Sequence, residues 1–285
     1  MSEHATEMAA LPRQRLHALV VPREHGAWGL LLIPLLTGAA AGLIEGGRFL
    51  PLVLLTTAAL ALFWMRTPVE SWLGTTPMRA QSEPEKRAVK IAVGGLAAIS
   101  VAALTALFWG GQNSYLLLLG AISGVAFASQ AFLKLAGRKT RMLAQVIGAV
   151  GLTSTAPAAY YVATGHLGAT GWLLWLANWL FAGDQIHFVQ VRIHSARAAS
   201  STQKLSRGRY FLIGQVALAA VLLIIWAYGL LPSLALLAFV PVMVRGTAWF
   251  FAKPEPLAVR RLGWTEVAYS VSFGVLFVLG LFAGR

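Results

Sequence analysis

The basic residues of this chain fall in every second gap between its apolar segments. Nine apolar runs can be followed along the 285 residues. The N-terminal segment and the second, fourth, sixth and eighth gaps hold all 23 Lys and Arg residues except Arg48, Arg245 and Arg285. Lys and Arg are retained on the cytoplasmic side of a membrane. The alternation therefore predicts about nine membrane-spanning segments, with the N-terminus in the cytoplasm and the C-terminus outside.

The composition fits a membrane protein and excludes several soluble classes. Hydrophobic residues make up 58% of the chain and charged residues 12%, whereas soluble domains carry about a quarter charged residues. A pI of about 10.9 would indicate nucleic acid in a soluble protein, but here the excess charge faces anionic lipid head groups. We therefore expect a lipid bilayer, and no nucleic acid, as partner. The chain has no cysteine, which excludes disulfides, thiolate catalysis and cysteine metal sites.

The apolar runs are predicted to be α-helices of one polytopic transmembrane bundle. Backbone polar groups find no water in lipid, and continuous apolar runs of this length satisfy them within helices. We assign residues 1–22 to a cytoplasmic N-terminal tail and residues 23–285 to a single transmembrane helical domain, with a polar loop at 66–86. The predicted spans cover residues 26–44, 49–65, 87–109, 114–132, 141–163, 168–191, 209–230, 232–251 and 264–283.

Ionisable residues near the cytoplasmic ends of these spans are the candidate functional groups. A charged side chain at membrane depth is costly, so by default it marks a functional site. We expect these side chains to line a polar cavity that opens to the cytoplasm and suits an amphipathic molecule. The candidates for catalysis are Asp184, His187, Glu24 and His25, and the candidates for substrate binding are Arg66, Glu70, Arg192, Arg245 and Glu266.

The spacing of Asp184 and His187 leaves two interpretations open. The two residues are three apart and share a helix face, where the carboxylate could orient the imidazole for proton transfer or both could bind a metal. Alternatively, Asp184 forms a structural ion pair in the membrane with Arg245 or Arg192.

Three other candidates also have a purely structural interpretation. Glu24 and Glu266 lie near predicted helix N-termini, where an acidic side chain favours the helix dipole. Arg245 lies inside a predicted span and needs a carboxylate or an anionic ligand there, unless its long side chain extends to the interface.

Three segments of the chain resemble the YwiC-like family of membrane proteins. The most specific is Pro22-Arg23-Glu24-His25-Gly26-Ala27-Trp28-Gly29, which precedes an apolar run containing Pro34. The others are Arg66-x-Pro68 at the end of the second span and Arg261-Leu262-Gly263-Trp264-x-Glu266 before the ninth. The resemblance implies a polytopic membrane protein and indicates no particular activity.

The layout of the spans is also similar to that of the UbiA superfamily of intramembrane prenyltransferases. This resemblance implies nine helices, a cytoplasmic N-terminus and an active site at the cytoplasmic ends of helices 2 and 6. Here those positions hold Met65-Arg66-Thr67-Pro68-Val69-Glu70 and Asp184-Gln185-Ile186-His187.

The aspartate content of this chain departs from the UbiA pattern. UbiA enzymes hold Mg²⁺ and a prenyl diphosphate with two aspartate-rich motifs, whereas Asp184 is the single aspartate of this chain. Binding of Mg²⁺ would therefore need Glu70 and Glu24 as substitutes. Without a metal, an anionic substrate group would be held by arginines, namely Arg66, Arg192 and Arg245.

The residues and the resemblance together predict an integral membrane protein with a polar cavity that faces the cytoplasm. The resemblance implies a UbiA-like intramembrane transferase, or a degenerate relative, that acts on an isoprenoid, quinone-like or lipid-like substrate. The alternatives are a transporter of a small anion or metabolite and a non-catalytic membrane assembly factor. Transporters commonly contain inverted repeats and broken helices, and the sequence shows neither clearly. We expect a bacterial-type inner (plasma) membrane location.

Overall fold

A computed structural model describes residues 15–22, 25–74, 78–111, 114–137, 140–196, 200–253 and 257–283. In these ranges the regular elements are helices, and no strand occurs among them. Residues 15–20 are helical and are called α1. The other helices are His25–Ile44 (α2), Phe49–Leu73 (α3), Glu83–Trp109 (α4), Ser114–Leu135 (α5), Arg141–Thr153 (α6), Thr155–Thr164 (α7), Gly168–His194 (α8), Ser201–Ala227 (α9), Ser233–Leu236 (α10), Val240–Phe251 (α11) and Val259–Phe282 (α12).

Eight helical segments within the described residues are long and apolar enough to cross a membrane. They are Ala27–Ile44, Phe49–Leu73, Glu83–Trp109, Ser114–Leu135, Met142–Thr164, Ser201–Ala227, Ser233–Phe251 and Val259–Phe282. The chain is therefore an all-α, polytopic membrane protein, as the sequence predicts.

The predicted sixth span, 168–191, lies within α8 but is not among these eight segments. The helix has 27 residues, which is long enough to cross a bilayer. Polar residues such as Asn178, Asp184 and Gln185 lower its hydropathy, and all three are buried in the protein. The crossing of α8, and with it the side of the C-terminus, stays a prediction.

The helices α9 and α12 begin at Ser201 and Val259, before the predicted starts at 209 and 264. Two other differences from the predicted helices have identifiable reasons. α3 continues through residues 66–73, which were predicted to be loop, and Arg66 and Glu70 form an ion pair of 3.0 Å one turn apart within this extension. The fifth predicted span is divided at Ser154 into α6 and α7. Pro157 explains the division, because it has no N–H to donate to the carbonyl of Thr153 and its ring crowds that carbonyl.

The chain forms two compact units, of which the first comprises residues 1–25 and 49–114. In this unit Leu19 of α1 is fully buried, and the indole of Trp64 donates to the carbonyl of Val20 at 2.9 Å. Arg15 Nε bonds Glu85 Oε1 at 2.6 Å. Glu85 also completes a capping box with Ser82 at the start of α4, so one carboxylate fixes both α1 and the first turn of α4.

The second unit comprises residues 26–48 and 115–285 and contains the larger apolar core. Phe181, Phe273 and Phe277 lie at the centre of this core, where the rings of Phe181 and Phe273 stack 4.1 Å apart. α2 approaches α7 closely, since a Cβ atom on Gly42 would lie 2.7 Å from Ala163 Cβ. Small residues at such positions let helix backbones come together in a membrane.

Candidate functional site

A cluster of buried charges joins four helices of the second unit. Arg245 of α11 bonds Asp184 of α8 through Nη2 and Oδ2, 3.0 Å apart, and bonds Glu266 of α12 through Nη1 and Oε2. The exposed fraction is 7% for the Arg245 side chain, 1% for Asp184 and 7% for Glu266. Gln215 of α9 donates its amide N–H to the other oxygen of Asp184. We call these four residues the charge cluster.

Neighbouring side chains hold the charge cluster in place. The guanidinium carbon of Arg245 lies 4.1 Å from the centre of the Phe188 ring and 4.9 Å from that of Tyr269. Such contacts with ring faces attract a desolvated cation. Gln185 Nε2 donates to the carbonyl of Glu266 at 2.9 Å and to Ser270 Oγ at 2.8 Å. α8 and α12 are thus tied together beside the ion pairs, in a packed region that encloses the charges.

A cavity of about 740 Å³ lies between α6, α8 and α9, and no residue of the charge cluster lines it. Its volume is within the range of pockets that bind small molecules, roughly 300–1,000 Å³. The wall combines polar and apolar side chains, as an amphipathic ligand requires. The polar ones are Gln145, His187, Gln190, His194, Arg207 and Tyr210, and the apolar ones are Met142, Val191, Ile193 and Phe211.

Hydrogen bonds order part of the cavity wall and leave His187 available. Gln190 Nε2 donates to Gln145 Oε1 at 2.8 Å, which links α8 to α6. Nδ1 of His194 lies 2.7 Å from the carbonyl of Gln190, and Arg207 donates to the carbonyl of His194 at 3.3 Å. Among the described residues, no side chain or carbonyl makes a hydrogen bond with the His187 ring, whose centre lies 5.2 Å from that of Phe211.

The comparison with known families identifies the first half of the chain. A family model described as YwiC-like protein matches residues 21–160. Over this region the chain is a membrane protein of the YwiC-like family. The match includes two of the segments that carried the predicted resemblance, Pro22–Gly29 and Arg66-x-Pro68, and so confirms it. No curated protein matches the chain. The likeness to the UbiA superfamily stays a prediction.

The structure brings together three of the predicted site residues, Asp184, Arg245 and Glu266. His187 lies apart from them, because it faces the cavity while Asp184 faces α9 and α11. In the described part of the chain no hydrogen bond joins Asp184 to His187. The proposed orienting contact between the carboxylate and the imidazole is therefore not made. Instead, Asp184 forms the ion pair with Arg245 that was the alternative interpretation.

The remaining predicted site residues make other contacts or lie outside the described residues. Arg66 and Glu70 bond each other in the first unit. Arg192 lies over the ring of Trp249, 5.5 Å from its centre. Glu24 lies outside the described residues, and of His25 only the backbone, at the start of α2, is described. The predicted roles of these residues therefore stay predictions.

Sequence reasoning did not assign Arg207 and Tyr210 to the site. Both lie near the start of α9, where the positive charge before the predicted seventh span was interpreted as topological alone. The sequence did contain one signal. Arg207, Tyr210 and Phe211 are spaced three and four residues apart, which places their side chains on one face of a helix. All three line the cavity.

The described residues contain no cluster of three or more His, Asp and Glu side chains that could hold a metal ion. The two carboxylates of the charge cluster already bond the Arg245 guanidinium.

Proposed function

We propose that this protein binds an amphipathic, isoprenoid-like or lipid-like molecule in the cavity between α6, α8 and α9, in the plasma membrane of a bacterium. The cavity itself supports the proposal best. Its lining offers hydrogen-bond donors and a cation as well as aliphatic and aromatic side chains, so it can contact both the polar head and the apolar chain of such a molecule.

Arg207 is assigned to the head group of the ligand. Its guanidinium is exposed and lines the cavity, and it makes one hydrogen bond, of 3.3 Å, to a backbone carbonyl. Arg245, by contrast, already bonds two carboxylates and lines no part of the cavity. A carboxylate or phosphate head group would gain a charge-assisted hydrogen bond from Arg207.

The activity that we favour is that of an intramembrane transferase, or of a degenerate relative of one. If the protein is a transferase, His187 is assigned to proton transfer. Its ring borders the cavity and is half-buried. In a transfer reaction the acceptor loses a proton as its bond to the isoprenoid forms and the anionic group leaves. A neutral imidazole within reach can take that proton, an effect worth roughly 10²–10⁴ in rate.

Native mass spectrometry with lipid analysis of the gently purified protein tests the binding. Arg207→Gln is compared with Arg260→Gln, which removes an exposed arginine from the same predicted side, outside the cavity. An isoprenoid-like or lipid-like species should accompany the wild type and Arg260→Gln and be depleted roughly tenfold or more in Arg207→Gln, because a hydrogen bond to a charged group is worth about 1.5–3 kcal/mol. Equal amounts of bulk phospholipid in all three proteins would contradict the proposal.

A transporter of a small anion or metabolite is the second candidate, and the charge cluster favours it. Ionisable side chains buried among membrane helices often belong to ion or proton pathways. Uptake of labelled anions into liposomes containing the protein would support this candidate. Turnover of an isoprenoid diphosphate, lost in His187→Ala, would support the transferase.

A further inference from the structure

The formal charges of the charge cluster do not balance. Asp184 and Glu266 each carry one negative charge when ionised, and Arg245 carries one positive charge, so the ionised cluster has one negative charge too many. All three side chains are at least nine-tenths buried. An uncompensated charge away from water is strongly disfavoured and must be neutralised by a partner or by a proton.

Among the described residues of α8 and α9, no side chain supplies the missing positive charge. On α8, His187 faces Phe211, and Arg192 lies over Trp249. On α9, Nζ of Lys204 donates to the carbonyls of Trp249 and Ala252 at the end of α11.

The described parts of the other helices contribute no cation either. The sequence of α2 from residue 27 onward contains no ionisable side chain. On α9, Arg207 lines the cavity and Arg209 donates to the Tyr210 hydroxyl, while the further basic residues of α12 lie in its first turn. Within the described residues, only Arg245 forms an ion pair with Asp184 or Glu266.

The cluster also contains polar atoms that have no hydrogen-bond partner among the described residues. They are Glu266 Oε1, Gln215 Oε1 and Arg245 Nε, all inaccessible to solvent. Gln215 is 6% exposed, and its amide group is fixed at the cluster because Nε2 donates to Asp184. Buried polar atoms are almost always satisfied. Two acceptor oxygens without a donor, beside an excess negative charge, fit a positively charged ligand.

We propose that the charge cluster is a binding site for one positive charge, either a proton or a monovalent metal cation, held by the oxygens of Glu266, Asp184 and Gln215. A proton would convert one carboxylate to a carboxyl group, and a metal cation would be bound by the unpartnered oxygens. In both cases the cluster becomes neutral. The site is separate from the proposed ligand cavity, since none of its four residues lines that cavity.

Thermal unfolding in detergent distinguishes the two cations. The wild type is measured from acid to alkaline pH at constant ionic strength, with sodium, potassium or choline as the cation. It is compared with Glu266→Gln, which neutralises the site and keeps its shape. The control is Glu83→Gln, which removes a carboxylate whose side chain is 84% exposed. His187 and the other ionisable groups are present in every variant, so the difference between variants isolates the cluster.

A bound proton predicts that the wild type loses stability as the pH rises, because the folded state then holds one proton more than the unfolded state. Its apparent unfolding constant should rise by up to about tenfold per pH unit relative to Glu266→Gln, whichever salt is present. A bound metal cation predicts instead that sodium or potassium stabilises the wild type over choline, by an amount that grows with concentration. Glu83→Gln should behave as the wild type does in both series.

The proposal is overturned if the wild type responds to neither pH nor cation more than Glu266→Gln does. Asp184→Asn provides a second test, since it too leaves one carboxylate for Arg245. Failure of both neutralised variants to fold would also overturn the proposal, because a cluster that already binds one positive charge tolerates the loss of one negative charge.

Discussion

The charge cluster and the cavity share two helices, α8 and α9, yet the cluster is closed and the cavity is open. Asp184 of α8 is enclosed by side chains from α9, α11 and α12, and its side chain is 1% exposed. His187, three residues later, borders a cavity of about 740 Å³, and its imidazole makes no hydrogen bond with the described residues. The comparison shows that polarity alone does not indicate what a site can bind. What matters is how much open space the neighbouring helices leave and which polar atoms they leave without a partner.

Glycines on the helices around α8 show the same difference in packing. A Cβ atom on Gly246 of α11 would lie 2.8 Å from Cζ of Phe211, whose ring is fully buried. A Cβ atom on Gly214 of α9 would lie 3.2 Å from Nδ1 of His187. The first contact is with a ring that is 1% exposed, and Gln215 Oε1 of the charge cluster lies 3.5 Å from the same Cβ atom. The second contact is with a half-buried imidazole that borders the cavity. The packing is therefore tighter around Gly246 than around Gly214.

The largest effect is expected from Arg245→Met, which removes the cation from the charge cluster. Two buried carboxylates would then lie close together without a partner, and breaking a buried pair in this way costs about 3–5 kcal/mol. We expect a much lower unfolding temperature and a low yield of folded protein in detergent. Arg207→Met, the matched change at the cavity, should leave the unfolding temperature nearly unchanged. Equal stability of the two variants would show that the cluster is not closed.

A smaller effect is expected from Gly246→Ala, and it should contrast with Gly214→Ala. The added methyl group at Gly246 overlaps the ring of Phe211, and overpacking of this kind costs about 1–3 kcal/mol. At Gly214 the imidazole of His187 can move into the cavity, and replacing glycine by alanine within a helix gains up to about 1 kcal/mol. Unfolding temperatures of the two variants should therefore change in opposite directions. Similar losses in both would contradict the difference in packing.

The membrane helices could be predicted from the sequence because lipid imposes strict rules on length, polarity and flanking charge. Those rules act on each segment by itself, so eight of the nine predicted spans correspond to helical segments apolar enough to cross. The end of α3 was predicted too early, because an arginine and a proline at residues 66 and 68 resemble a loop. Their helical conformation is accompanied by the ion pair of Arg66 with Glu70.

The site could be predicted less well because it depends on which helices meet. The ion pair of Asp184 with Arg245 was one of two open interpretations, since a buried guanidinium needs a carboxylate. That Glu266 also bonds Arg245 could not be deduced from spacing, because the two residues lie on different helices. Residues three apart on a helix differ by about 60° in direction. In α8 this difference sends Asp184 and His187 to separate surroundings.

The smallest effect is expected at the cavity, from removing the hydrogen bond between Gln145 and Gln190. Each single change to Leu leaves one amide without its partner in a half-buried wall, and we expect a loss of about 0.5–1.5 kcal/mol. The double variant removes both amides, so its loss should be less than the sum of the two single losses. A double-mutant cycle of unfolding free energies measures this coupling. Additive losses would show that the bond contributes nothing. A coupling of several kcal/mol would show instead that the cavity wall is as closed as the charge cluster.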